Sequence, residues 1–323
     1  MPNRQQREVP LPSPPRRLRI HAPALRYFDM VRRTGSIREA ARRLNVASSA
    51  VNRQILNLEA ETGSHLFERL PNGMRLTAAG EVLAQHVLTV LRDAERAESE
   101  LDALRGLRLG HVDLITLEGL CHRIVPEAIG SLQARHARVT VAATIRDSRE
   151  IPAAIVAGEA HLGLAFEVRR HPSLRQLAMV RLPLGAVLPP HSPLAGRPTV
   201  SIGDCADAPL ILPQRNFANR EQLDPLLLGA GIRDQVRCEA GSVELMKQLV
   251  LRGLGIAFMT RIGLESELDA GRLAHVPLQH AGTPLLSELG LYARSNPALS
   301  AAADAFARHL ADAMSRATAA RIQ

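Results

Sequence analysis

The sequence predicts an α/β protein in two parts: an N-terminal winged helix-turn-helix joined through a long helix to a two-lobed α/β body. Three observations predict it. Tyr27 to Gly80 carries two helix patterns separated by a short turn and followed by a hairpin signal. A heptad seam runs from Leu83 to Leu104. From Gly110 onward, short apolar strand patterns alternate with helix patterns, the signature of parallel sheets with crossover helices.

The first helix of the pair starts at Ser36, which follows Gly35 and stands three residues before Glu39. This is capping-box spacing, in which each side chain serves an orphan backbone N–H of the helix start. Ala40, Ala41 and Leu44 follow on one face, and the small residues at 40 and 41 let a second helix cross closely. Asn45-Val46 makes the turn. The second helix starts near Ser48 and puts Val51, Ile55 and Leu58 on one face, with Ser48, Ser49, Asn52 and Arg53 displayed elsewhere. In a helix-turn-helix the second helix enters the major groove and its first turns meet base edges. Ser and Asn hydrogen-bond bases, and Arg contacts guanine or phosphate. Ser48, Ser49, Asn52 and Arg53 are therefore the expected base readers, Gln54 the expected backbone contact from the same helix, and Ser36 a further contact from the first.

Next come Leu66-Phe67-Glu68-Arg69, the turn signal Pro71-Asn72-Gly73, and Met74-Arg75-Leu76-Thr77. Two short strands around that turn make a wing, and Arg69 and Arg75 flank it. Phosphate contacts from such arginines give affinity, not sequence choice. Thr77 is placed to cap a helix running to about Arg105. Its apolar positions Leu83, Val87, Val90, Ala94, Ala97, Leu101 and Leu104 recur at spacings 4, 3, 4, 3, 4, 3. That pattern predicts pairing with a second copy of the helix, the alternative being packing on its own domain.

Charge supports this division. The formal net charge of the 323 residues is +8. Met1 to Arg75 holds 14 Arg against 6 Asp or Glu, and the remainder holds 26 basic against 26 acidic residues, so the whole excess sits on the helix-turn-helix part. A basic module on a neutral body fits a nucleic-acid binder with a separate second function. Lys247 is the only lysine, a compositional bias. Cys121, Cys205 and Cys238 are far apart and odd in number, which argues against a disulfide framework and for a reducing cytoplasm. No apolar run approaches a membrane span and the N-terminus has no signal-peptide pattern. Residues 1–18 read as a disordered, basic, Pro-rich leader.

In the body, strands are expected over His111–Thr116, Val139–Ile145, His161–Phe166, Leu182–Leu188, Leu210–Leu212, Gly253–Met259 and Glu288–Arg294. Helices are expected up to about His136, over Glu150–Gly158 and Val243–Arg252, and from Pro297 to the end. Two α/β lobes with crossing connections enclose a cleft.

Ser36-x3-Ala40-Ala41-x2-Leu44, Ala50-Val51-x-Arg53-Gln54-Ile55-x2-Leu58-Glu59-x3-Gly63-x2-Leu66-Phe67-x-Arg69 and Leu76-Thr77-x2-Gly80 resemble the LysR-type transcriptional regulators. The match is dense over residues 25–85. It is looser beyond, through Asp113-Leu114-Ile115, Leu162-Gly163-Leu164-Ala165 and Leu249-Val250-x2-Gly253-Leu254-Gly255-Ile256-Ala257. The resemblance implies domains at 19–77 (DNA binding), 78–108 (linker and dimerisation) and 109–323 (effector binding). Lobe I would cover about 110–182 and 283–315, and lobe II about 183–282. It implies a periplasmic-binding-protein-like effector domain and sequence-specific binding of double-stranded DNA. It further implies a dimer through 78–105, a tetramer beyond it, and RNA polymerase as a further partner. The chain departs from the family in having Ala47-Ser48 where Ser-Gln is usual, Asn52 for a usual Ser, and Thr260 for a common Pro. Ala47 is a poor N-cap, so Ser48 caps instead or the helix starts late.

In such regulators the effector sits between the lobes at strand ends and helix starts. This implies Thr116 to Leu120, Asp147-Ser148, Phe166, Gln214 to Asn219 and Ser242, with Thr116, Leu117, Ser148, Phe166, Gln214 and Ser242 as the named contacts. Helix-start N–H groups favour anions, so a carboxylate is the expected effector class. Ordinary helix capping is the competing role for Thr116, Ser148 and Ser242, and solvent exposure for Arg146 and Arg215. The body shows no Gly-x-Ser-x-Gly elbow, P-loop or Rossmann glycine pattern, and its histidines lack metal-ligand spacing, so no enzyme, metal or cofactor is expected. A solute-binding protein would need a signal peptide and no basic module. An architectural DNA-binding protein would need no two-lobed body.

Overall fold

The computed structural model describes residues 23–71, 73–103, 110–296 and 298–319. The leader at 1–18, Asn72 of the wing turn, Leu104 of the seam, linker residues 104–108 and Pro297 lie outside the described residues. The chain divides into two compact units, residues 1–98 and 99–323.

The first unit begins with α1 (Pro23–Thr34), in which Pro occupies the first helical position, where its missing N–H costs nothing. Ala24, Phe28 and Val31 recur at helical spacing and are buried. α2 (Ile37–Leu44) is capped by Ser36, whose Oγ accepts from the Glu39 N–H at 3.4 Å. Only this half of the expected capping box forms. The Glu39 carboxylate turns away to Arg42 and Arg43, and the Ser36 N–H uses the Thr34 hydroxyl instead. Asn45, with φ 54°, closes the helix in the left-handed region that a short Asn tolerates.

α3 (Ser48–Thr62) starts with Ala47 in the cap position and no side-chain cap bond. Ser48 is its first helical residue, so the expectation of a Ser48 cap or a late start is corrected. Val51, Ile55 and Leu58 are buried, as the apolar spacing requires.

The wing pairs β1 (Phe67–Leu70) with β2 (Gly73–Leu76) antiparallel, from Phe67 opposite Leu76 to Leu70 opposite Gly73. Glu59 fastens it to α3, its Oε1 accepting from Leu66 N at 2.8 Å and Phe67 N at 3.4 Å. Thr77 caps α4 (Ala78–Ala103) by accepting from Gly80 N, and donates to the His65 carbonyl. Gly80 must lack a side chain because a Cβ there would strike the Leu66 carbonyl. Phe28 and Phe67 meet with ring centroids 5.1 Å apart in a core shared with Ala41, Val51, Ile55 and Leu66. Ala84 and Val87 of α4 belong to that same core. The N-terminal half of the heptad seam therefore packs on its own domain.

The second unit contains β3 (Gly110–Thr116), α5 (Ile124–Arg135), β4 (Val139–Ile145), α6 (Ile151–Val156), β5 (Leu162–Phe166) and β6 (Leu174–Pro183) in its first stretch. It continues with β7 (Gly185–Leu188), β8 (Leu210–Pro213), α7 (Arg220–Gly229), β9 (Val236–Ala240), α8 (Val243–Leu251), β10 (Ile256–Met259), α9 (Glu265–Asp269) and β11 (Ala274–Pro277). A two-residue pair, β12 (Gln279–His280) and β13 (Thr283–Pro284), precedes β14 (Leu286–Arg294) and α10 (Ala301–Ala319). Two five-stranded sheets result, ordered β4-β3-β5-β14-β6 and β11-β7-β10-β8-β9. β4, β3 and β5 run parallel, as do β9, β8 and β10, whereas β14 and β7 are antiparallel to their neighbours.

Strand alternation sorts the core residues. Val112 and Leu114 of β3 face α5 and α10 with Leu132, Phe306 and Leu310, while Ile115 faces α6 with Ile151 and Ile155. Gly163 in β5 lets α6 lie close, since a Cβ there would come within 2.8 Å of Ile151 and Ile155. In the second sheet Phe258 joins Leu184, Leu212 and Leu223, and Met259 joins Met246 and Val250 on the other face.

Leu182–Leu188, expected as one strand, is two strands of different sheets broken at Leu184. β6 escapes the sequence reading because its side chains are mostly half-exposed or exposed and give no apolar run. The final helix starts at Ala301, capped by Ser300, rather than at Pro297.

Among the described residues, no helix is long and apolar enough to cross a membrane. Phe28→Ala should cost about 3–5 kcal/mol in urea unfolding of the first unit, because the side chain is wholly buried against Phe67. Cys205 is 1% exposed, and burial together with Asp204 pushes its thiol up to about 12. It should resist thiol labelling at pH 8 until the protein is unfolded, as mass spectrometry of labelled peptides would show.

Candidate nucleic-acid interface and interlobe cavity

At the start of α3, Ser48, Ser49 and Arg53 are exposed and Asn52 is half-buried. Helical periodicity places these four on one arc of α3, flanking the buried stripe of Val51, Ile55 and Leu58. Gln54 lies on the other flank of that stripe and is half-buried, so it does not join them. The first turn of α3 holds no acidic residue. Arg69 and Arg75 are exposed on the two wing strands, and Arg75 meets Glu68 at 3.2 Å, a solvent-exposed pair of little energetic weight. Ser36 is half-buried and caps α2.

In the second unit a cavity of about 330 Å³ lies between the two sheets' lobes, in the size range of small-molecule sites. Its lining includes Leu117, Ile145, Phe166, Phe217, Val243 and Met259, with polar groups from Glu118, Arg146, Asp147, Ser148, Asn216, Asn219, Ser242, Thr260 and Ser287. Of the six expected residues, Leu117, Ser148, Phe166 and Ser242 line this cavity. Thr116 and Gln214 do not. Thr116 ends β3 wholly buried with its hydroxyl unpartnered, and Gln214 is exposed beside Gly241.

Ser148 does not cap a helix. Its Oγ donates to the Phe166 carbonyl at 3.0 Å and accepts from the Phe166 N–H at 2.7 Å, tying the loop after β4 to the end of β5. Ser242 caps α8, accepting from Leu245 N at 3.1 Å, and donates to Glu118 Oε1 at 2.9 Å. Glu118 Oε2 accepts from Val243 N at 2.8 Å. A side chain of the 3-10 turn Glu118–His122 in one lobe is thereby fastened to the start of α8 in the other.

Arg146 is paired with Glu159 at 2.6 Å, and Arg215 is exposed. At another edge of the cleft Arg149 meets Glu221 at 2.8 Å, and Gln222 donates to Glu167 at 3.0 Å. Buried Arg220 anchors α7 by bonds to the Pro213 carbonyl, Asp224 and Glu239, which fixes Asn219 immediately before it. Cys121 donates to the Leu117 carbonyl, and burial followed by the Glu118 charge pushes its thiol up. It lacks the lowered thiol of a nucleophile.

Glu118 and Asn219 line the cavity from within the expected stretches Thr116 to Leu120 and Gln214 to Asn219, although neither was singled out, and Thr260 joins them from outside those stretches. Thr260 was legible only as a departure from a family Pro, and the bonds of Glu118 had no local signal because its partners Ser242 and Val243 are more than a hundred residues away.

Two family descriptions match the chain: LysR substrate binding domain over residues 105–315 and bacterial regulatory helix-turn-helix protein, lysR family, over residues 23–81. The chain is 28% identical over 291 residues to the HTH-type transcriptional regulator CbbR of Rhodospirillum rubrum, covering 90% of this chain and 95% of that one. It is similar in fold to full-length OxyR of Pseudomonas aeruginosa, with TM-score 0.69, 17% identity, and 90% and 93% of the two chains covered. It is also similar to CbnR solved in complex with its target DNA, with TM-score 0.56, 21% identity, and 90% and 98% covered.

Glu39 gives a pH marker for α2. Its side-chain bonds from Arg42 and then Arg43 hold the carboxyl at about 2, down from 4.5. Because the pKa is lowered on folding, this contribution is complete above 4.5 and is lost as pH falls from there toward 2. A carbon-detected NMR titration should place the Glu39 midpoint near 2, and Arg42→Ala should raise it.

Proposed function

The chain belongs to the LysR family of bacterial transcriptional regulators, and from that premise we propose how its parts act. It is a regulator with a helix-turn-helix for DNA and a substrate-binding domain for a small molecule. The working division is 19–77 for DNA binding, 78–108 for linking and dimerisation, and 109–323 for the effector. Ser48, Ser49, Asn52 and Arg53 read bases. Gln54, Arg69 and Arg75 hold the phosphate backbone.

The observation that carries this assignment is the exposed polar arc at the start of α3, in a unit whose wing presents two exposed arginines. Two copies pair through the C-terminal half of the α4 seam. Ala97 is half-buried and Leu101 is 51% exposed there, whereas Val87 is committed to the unit's own core. A dimer presents two recognition helices to two half-sites, and tetramers and RNA polymerase contacts build on it.

The effector occupies the interlobe cavity. Its binding changes lobe closure, and the change re-angles the DNA-binding units of the oligomer. The test is DNase I footprinting and DNA-bend measurement with and without a ligand that occupies the cavity: an altered footprint length or bend supports the mechanism, and no change in either overturns it.

Asn52→Ala should relax sequence choice at its base pair by about 1–3 kcal/mol in competition binding, with non-specific affinity held. Arg69→Ala and Arg75→Ala should weaken binding to all sequences alike and each lower the salt slope by about 1. Unchanged sequence preference in the Asn52 variant would overturn the base-reading assignment.

A further inference from the structure

The start of α8 has the chemistry that takes a carboxylate: first-turn N–H groups, the positive end of the helix dipole and a serine hydroxyl. Here that place is taken by the chain itself. Glu118 accepts from Val243 N at 2.8 Å and from the Ser242 hydroxyl at 2.9 Å. Ser242 accepts in turn from Leu245 N, and its one proton is committed to Glu118, so it has none left to donate to an entering anion.

The remaining charges point the same way. Among the described residues lining the cavity, Arg146 is the one cation, and Glu159 holds it at 2.6 Å. Asp147 adds a second negative charge to the lining. A carboxylate or phosphate entering the cavity meets no unpaired cation and two carboxylates, a desolvation cost without compensation. Two lining groups instead ask for a donor, the buried Oδ1 atoms of Asn216 and Asn219. Asn219 donates its amide Nδ2 to the Phe258 carbonyl at 3.4 Å, which fixes the amide's orientation, and its buried Oδ1 accepts nothing. An unmet buried acceptor is costly and is relieved by an N–H or O–H.

We propose that Glu118 is an internal occupant of the anion subsite at the start of α8, and that the cavity therefore selects an uncharged, mainly apolar small molecule bearing hydrogen-bond donors. The expectation of a carboxylate effector drawn from helix-start chemistry is replaced by this one. The inference rests on the reading of the cavity as the effector site and makes Glu118 the residue that sets the ligand's charge.

Benzoate and benzamide, equal in shape and different in charge, serve as probes, titrated calorimetrically into the full-length wild type, Glu118→Ala and Glu118→Gln. In the wild type, benzamide should bind at least tenfold more tightly than benzoate. Glu118→Ala vacates the subsite and should gain at least tenfold in benzoate affinity with little gain for benzamide. Glu118→Gln, which keeps the place filled, should gain less. Wild-type benzoate binding equal to that of Glu118→Ala, or no benzoate gain in Glu118→Ala, overturns the proposal. Should Glu118→Ala fail to fold by circular dichroism, the wild-type ratio and Glu118→Gln decide: benzoate bound as tightly as benzamide, or a tenfold benzoate gain in Glu118→Gln, overturns it. DNA footprinting of the same samples separates the two readings. An occupied cavity that leaves the footprint unchanged counts against the effector mechanism alone, and the affinity ratios alone decide the role of Glu118.

Discussion

The body of the protein depends on a short lattice of backbone hydrogen bonds around Leu184. The chain leaves the first sheet at Pro183 and enters the second at Gly185, and it returns through the segment between β11 and β14. At the crossing Leu184 donates to the Leu285 carbonyl at 2.9 Å, Leu278 donates to the Leu184 carbonyl at 2.8 Å, and Leu285 donates to the Leu278 carbonyl at 2.9 Å. Leu184 and Leu278 are wholly buried. A backbone group left unpaired there would carry its full desolvation cost, so the two connections are held side by side. Both backbone connections between the two sheets pass through this seam, which sets the spacing of the cleft walls.

Besides that seam, contacts of a different kind hold the lobes. Glu118 to α8, Arg149 to Glu221 and Gln222 to Glu167 are all side-chain contacts. Exposed pairs such as Arg149–Glu221 contribute little and are screened by salt, whereas Glu118 uses charge-assisted bonds to a helix start. The lobes are therefore joined permanently on one side and by exchangeable polar bonds elsewhere, the arrangement from which a change in closure can arise.

The legible parts of the sequence were those decided locally. Ser36 as a cap, the Asn45 turn, the apolar stripe of α3, the wing hairpin around Pro71 and the Thr77 cap all follow from residues within a few positions of one another. The illegible parts were settled by distant partners. The Glu39 side chain chose the two arginines of its own helix over the cap, a competition that spacing alone does not decide. The heptad seam of α4 was visible, but its first half serves the local core, where Val87 and the neighbouring Ala84 join the cluster that holds Leu66 and Phe67. In the cavity, loop positions at strand ends were found from the α/β pattern, which brought Leu117, Ser148, Phe166 and Ser242 together. The pattern did not reveal that Ser148 is used up by Phe166 or that the start of α8 is filled by Glu118.

The clamp at Glu59 has a consequence for how such a protein diverges. One carboxylate near the end of α3 holds both Leu66 and Phe67 at the entry to the wing, so helix and hairpin form a single rigid gauge. The residues proposed to face bases lie at the opposite end of the helix, and among the described residues no hydrogen bond links them to that clamp. On that proposal, substitutions there retune the recognised sequence while the wing keeps its place on α3, so grip and vocabulary are inherited separately.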